Sequence, residues 1–180
     1  MEEIISDISD IFKKNKVRHV IIGGIAVLAW GKPRTTQDVD VVTGLSPNDV
    51  EQVITDLSAH GFNTPKDAHN RLQKGLPVKF RHGTYSVDLR LASFSIDNQA
   101  LQRARIIKGF SIASKEDLII YKLARFDYQD KADIQTVIDR QRKINFEYIA
   151  TAAKQLAVEA KRPQILNNLA EMLTWVTGNK

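Results

Sequence analysis

Asp38-Val39-Asp40, at the head of the apolar run DVDVV, has residue types and a spacing that could do chemistry. On an extended strand side chains alternate, so both carboxylates point one way and Val39 points into the core. Two like charges side by side are costly unless a cation lies between them, and Mg²⁺ is the usual ion for an oxygen-only site. Asp88 is the third candidate. It lies within YSVDLRL, where Ser86, Asp88 and Arg90 share one strand face and Val87, Leu89 and Leu91 the other. An unpaired charge in mid-strand among apolar neighbours is out of place. Three Asp residues on adjacent strands could hold two Mg²⁺ ions roughly 3.5–4 Å apart, as two-metal phosphoryl-transfer sites do. The reading without a metal has Asp38 capping a strand end and Asp88 paired with Arg81 or Arg90 on a solvated face.

Upstream, Gly23-Gly24 separates the strand-like run Val17–Ile22 from a short apolar helix expected over 25–30. Glycine lets a ligand approach the backbone closely, and the N–H groups at a helix start favour phosphate. Gly31 is the expected helix stop. The polar loop 32–37 then carries Arg34 and Thr36 to the edge of the Asp pair. Arg34 could steady a triphosphate or an acceptor strand there, or could be a solvated loop charge. Carboxylates beside a phosphate-binding turn point to nucleotide chemistry.

Other chemistries find no support. With no cysteine in the chain, disulfides, thiolate metal sites and Cys nucleophiles are excluded. The four histidines lack metal-ligand spacing such as HExxH, there is no GxSxG elbow, and neither GxxxxGK nor GxGxxG occurs. The formal net charge of +5 fits an anionic partner. The start, MEEIISDISDIFKKNK, has neither the basic lead nor the apolar centre of a signal peptide, and no apolar run is long enough for a membrane span. A cytoplasmic protein with no membrane partner is expected.

The elements that must position these residues follow from periodicity. Ile4, Ile5, Ile8, Ile11 and Phe12 mark one helical face over 3–14. Strands are expected at 17–22 and 38–42, and Ser46-Pro47 starts a helix running to about His60. Residues 62–76 show no periodicity and are expected to be irregular. Strands at 78–81 and 85–91 flank His82-Gly83-Thr84, a hairpin signal. A helix over 95–104 and one strand over 105–112 follow. Ser114 to Asp117 resembles a capping box, and beyond it the pattern is helical only, at roughly 115–126, 130–142, 145–160 and 163–176. The expected architecture is an α/β (α+β) catalytic region at 1–112, with a short mixed sheet flanked by helices, followed by a helical region at 113–180.

Gly23, Gly24, Asp38, Asp40 and Asp88 resemble the motif of the DNA polymerase β-like nucleotidyltransferase superfamily, and IIGGIAVLAWGKPRTTQDVDVV most resembles the AbiEii-type members. The stretch SKEDLIIYKLARFDYQDKADIQTVI is similar to a second, weaker motif of that group through Glu116, Asp117, Lys122, Arg125, Asp130 and Asp133. The resemblance covers about residues 17–140. It implies a nucleotidyltransferase fold and transfer of an NMP from an NTP to a hydroxyl acceptor. It implies Asp38, Asp40 and Asp88 as metal-binding catalytic residues for two Mg²⁺ ions. Nucleotide binding would fall to Gly23, Gly24, Arg34, Thr36, Lys122, Arg125 and Asp130. The implied acceptor is RNA, such as a tRNA 3′ end, or a protein; the implied setting is a toxin with a cognate antitoxin partner. A non-catalytic binding module and a small-molecule (antibiotic) nucleotidyltransferase are the alternatives. One departure stands out. Where the group often has a triphosphate-contacting Lys before the first Asp of KDxxD, this chain has Gln129, which leaves Lys122, Arg125 or Lys131 to substitute.

Overall fold

A computed structural model describes residues 1–177; the last three residues of the helical region expected to 180 lie outside the described part. In chain order the elements are α1 (Glu2–Lys14), β1 (His19–Ile22), α2 (Gly23–Trp30), β2 (Asp38–Thr43), a 3₁₀ turn (Pro47–Asp49), α3 (Val50–Ala59), α4 (Ala68–Gln73), β3 (Val78–His82), β4 (Tyr85–Leu91), α5 (Ser95–Arg103), β5 (Arg105–Ile107), β6 (Phe110–Ile112), α6 (Lys115–Arg125), α7 (Tyr128–Arg140), α8 (Phe146–Glu159) and α9 (Gln164–Thr177). The strands form one mixed sheet in the order β3-β4-β2-β1-β6-β5. β2 runs antiparallel to β1 and parallel to β4, and β3 closes a hairpin on β4. The expected α/β architecture, a short mixed sheet flanked by helices with a helical C-terminal half, is the one observed.

The period-two pattern sorts the sheet into two faces. Ile21, Val39, Val41, Val78, Phe80, Val87 and Leu89 enter the main core with the buried face of α1. Each such fully buried aliphatic side chain contributes about 1.5–3 kcal/mol. The opposite face carries Val20 and Val42, covered by Ala100 and Leu101 of α5. Asp38 and Asp40 lie on this second face, beyond the cover that α5 gives, and so remain open to a ligand. The main cluster continues through Leu118 and Ile119 of α6 to Ile149 and Leu156 of α8 and to Ile165 and Leu169 of α9.

The structure departs from the sequence expectation in several places, among them the starts of β1 at His19 and α2 at Gly23 instead of 17 and 25. Residues 105–112 are a hairpin, not one strand: Lys108 and Gly109 take φ of 51° and 87°, which turns the chain. The 62–76 segment holds the short helix α4, anchored by buried Ala68 and Leu72, too few residues to show a period. Ser46 caps no backbone N–H; its hydroxyl donates to Asp49 at 2.6 Å, and the first turn there is 3₁₀. α7 begins two residues early because the Asp127 carboxylate caps it, accepting from the Asp130 N–H at 2.9 Å.

Candidate active site

β1 delivers the chain into α2 through Gly23, whose φ of +61° lies in the left-handed region that glycine alone enters freely. A Cβ at Gly23 would overlap the Asp40 carboxylate, so the turn and the acid are packed against each other. A Cβ at Gly24 would stand 2.7 Å from Thr36 Oγ1 and 3.3 Å from the Arg34 guanidinium. The two glycines thus let the loop 31–37 close over the start of α2. The hydroxyl of Thr36 donates back to the Asp38 carbonyl at 3.2 Å.

Strand register brings the acids together. Asp40 is the direct partner of Asp88 across β2 and β4, and Asp38 is the partner of Ser86. Asp40 is partly buried, and burial raises its carboxyl above the ordinary range; the nearby charges of Asp88 and Asp38 push the same way. Asp38 is held below that range, by a hydrogen bond from Ser86 Oγ and then by Lys79. Lys79 Nζ lies 2.9 Å from Asp88 Oδ2, 3.1 Å from Asp38 Oδ1 and 3.2 Å from Ser86 Oγ. Asp88 is therefore paired with Lys79, not with Arg81 or Arg90. Arg90 makes a two-pronged pair with buried Asp97 at 2.6 and 2.8 Å.

α6 brings the cations Lys122 and Arg125 to the site, and α7 the acids that hold them. The Ser114 hydroxyl caps α6, accepting from the Asp117 N–H, and Phe126 ends it with φ of 60°. Lys122 Nζ lies 2.8 Å from both Asp130 Oδ1 and Asp133 Oδ2. Arg34 forks onto Asp133 at 3.0 and 3.1 Å, and Arg125 reaches Asp130 at 2.8 Å. Burial alone would raise Asp133, but Lys122 and Arg34 outweigh it and hold the carboxyl below its usual range. Gln129 Nε2 donates to the same Asp133 at 2.9 Å.

All ten residues expected to serve the site line one cavity of about 470 Å³: Gly23, Gly24, Arg34, Thr36, Asp38, Asp40 and Asp88 on the sheet side, and Lys122, Arg125 and Asp130 on the helix side. Ile22, Leu118, Tyr121 and Gln129 complete its wall. Lys79 lies outside that lining, behind Asp38 and Asp88, and its pairing with those two acids is what sequence reasoning did not find. A two-residue turn at Gly83-Thr84 pairs His82 with Tyr85 and Lys79 with Asp88, whereas a three-residue loop shifts the register by one. Among the described residues no three Asp, Glu or His side chains gather closely enough to hold a metal ion alone. The donor set does fit an ion that takes the rest of its ligands from phosphate and water, as Mg²⁺ does. Asp40, crowded by two like charges, and Asp38 Oδ2, which has no hydrogen-bond partner among the described residues, would hold it.

A short mixed sheet, a Gly-Gly helix start and facing carboxylates define a nucleotidyltransferase-type domain. The chain belongs to the family described as "Nucleotidyltransferase of unknown function (DUF6036)", whose match spans residues 1–177. No curated protein matches the sequence. Among solved structures the fold is similar to the lincosamide antibiotic adenylyltransferase LnuA, at TM-score 0.58 and 18% identity over 78% of this chain and 98% of that one. A putative nucleotidyltransferase from H. pylori gives TM-score 0.56 at 13% identity, over 99% of this chain and 96% of that one. The antibiotic-resistance factor ANT(2'')-Ia gives TM-score 0.55 at 12% identity, over 98% and 92%.

Proposed function

We propose that the chain transfers an NMP from an NTP to a hydroxyl acceptor with the help of Mg²⁺, and that Asp38, Asp40 and Asp88 carry the reaction. The observation that carries this reading is the register that sets Asp40 against Asp88, beside a Gly-Gly helix start and across one cavity from Lys122 and Arg125. When bound, the metal would stabilise charge on the entering and leaving oxygens. Gly23, Gly24 and the N-terminus of α2 bind phosphate oxygens through backbone N–H groups. Arg34, Lys122 and Arg125 offset the triphosphate charge, and Asp130 and Asp133 hold them in place before it arrives. Asp88 Oδ1 has no partner among the described residues and takes the acceptor proton. The acceptor oxygen bonds to the α-phosphorus, the bridging P–O bond breaks, and pyrophosphate leaves with its electron pair.

Lys79 and Arg81 lie on the site face of β3, opposite Asp88 and Ser86. Lys79 is spent on Asp38 and Asp88, and Arg81, which has no ion pair among the described residues, favours an anionic acceptor, such as an RNA 3′ end. The AbiEii-like reading, a toxin with a cognate antitoxin, draws its support from the network that joins Lys122, Arg125, Asp130 and Asp133. A nucleotide-binding module without turnover is the second reading, and Gln129 favours it: its amide is spent on Asp133 and brings no charge to a triphosphate. Incubation with Mg²⁺, each α-labelled NTP, total RNA, cell extract and a panel of hydroxylated antibiotics separates these. Label passing to RNA, and lost in Asp38→Ala/Asp40→Ala, is the expected result. Transfer to an antibiotic alone would replace the acceptor class. Nucleotide binding without transfer to any acceptor would favour the binding module.

A further inference from the structure

Lys79 does more than neutralise a surface acid. Its ammonium has three donor protons and three acceptors, Asp88 Oδ2, Asp38 Oδ1 and Ser86 Oγ, all within 3.2 Å. Register puts it there: Lys79 is the direct partner of Asp88 and Asp38 the partner of Ser86, so the lysine stem crosses one strand to span two acids. These are the two carboxylates that an ion shared by all three Asp residues would have to bridge.

We infer that Lys79 is a built-in second cation, so that the site takes a single divalent ion at Asp38 and Asp40 together with its nucleotide. The inference rests on the nucleotidyl-transfer reading above. With one oxygen of Asp38 and one of Asp88 committed to Lys79, the oxygens without a hydrogen-bond partner among the described residues are Asp38 Oδ2, Asp88 Oδ1 and the Asp40 pair. No three acids converge on one point among those residues. That donor set suits one Mg²⁺, which is held by one or two carboxylates and completed by phosphate and water. A second ion would have to sit against the ammonium. Lys79 is thereby a positioning residue as well: it fixes Asp88 through Oδ2 and leaves Oδ1 for the acceptor.

The test is a count of bound Mn²⁺ by electron paramagnetic resonance, using the full chain with a non-hydrolysable NTP analogue and subtracting a nucleotide-only control. Three proteins are compared: wild type, Lys79→Met, which keeps the stem and removes the charge, and Lys79→Arg, which keeps the charge. One ion per chain in wild type and Lys79→Arg, rising to two in Lys79→Met, is expected. Two ions in wild type would overturn the inference and show the lysine displaced, and that count needs no variant to fold. One ion in a folded Lys79→Met would overturn it too. No ion retained by any of the three would instead overturn the nucleotidyl-transfer reading on which the inference stands.

Discussion

At Gly23 the left-handed backbone and the Asp40 carboxylate fill the space that a side chain would need. Two separate costs follow for Gly23→Ala. The positive φ alone costs about 1–2 kcal/mol for an L-residue, read as a lower urea midpoint. Asp40 must also move, and a displacement of about 1 Å in a reacting group lowers rate by about 100-fold. Full transfer activity in a folded Gly23→Ala would contradict the packing of the turn against the acid. Asp40 itself shows why three acids on one face carry information: burial and two neighbouring carboxylates raise it above its ordinary range, against stability, and that tension suits a position built for a cation. Arg34, by contrast, is not the solvated loop charge it could have been. It is locked onto Asp133 and thereby joins the polar loop to α7.

At the scale of elements, β4 and α5 are tied by Arg90 and Asp97, with the Tyr121 hydroxyl of α6 donating to Asp97 at 2.9 Å. Burial by itself would raise the Asp97 carboxyl; the Arg90 fork and the N–H groups of Ser93 and Phe94 outweigh it and hold it below the ordinary range. A carboxyl depressed in the folded state adds stability at neutral pH that is lost as pH falls from the ordinary range near 4 toward the folded value. Asp97→Asn should therefore cost about 3 kcal/mol at pH 7, with the difference from wild type shrinking in acid. Thermal melts from pH 7 to pH 3 check this; a penalty independent of pH would contradict it. Neither partner of this tie was legible in the sequence, because a contact between strand and helix depends on how they pack, not on local spacing. Much else was. The Asp-x-Asp face, the α1 stripe and the Ser114 cap follow from period and cap chemistry alone; Lys122, Arg125 and Asp130 came only with the family resemblance. The hairpin at 105–112 failed because Lys108 enters the left-handed region without being glycine, so the turn signal rested on Gly109 alone. Lys79 failed by one residue of turn length, which was enough to break its pairing with Asp88.

For the whole molecule, the cavity is lined by residues of β1, α2, the 31–37 loop, β2 and β4 on one side and of α6 and α7 on the other, so both regions contribute to its wall. The main hydrophobic cluster runs without a break from Ile4 to Met172. We propose that the two regions unfold as one unit. Ile165, fully buried in α9, tests this: Ile165→Ala should cost about 2–5 kcal/mol and shift a single calorimetric transition as a whole. A new early transition, with the main one unmoved, would contradict a shared core. Among the described residues no helix is long and apolar enough to cross a membrane.

In the proposed reaction the α-phosphoryl group moves with its nucleoside. The direct measurement is paired: the preferred NTP labelled at the α position or at the γ position, incubated with the chain, Mg²⁺ and its acceptor. Label entering the acceptor from the α position but not from the γ position, with release of pyrophosphate, and lost in Asp40→Asn, is the predicted result. Transfer of the γ label, or α transfer that survives in Asp40→Asn, would contradict it.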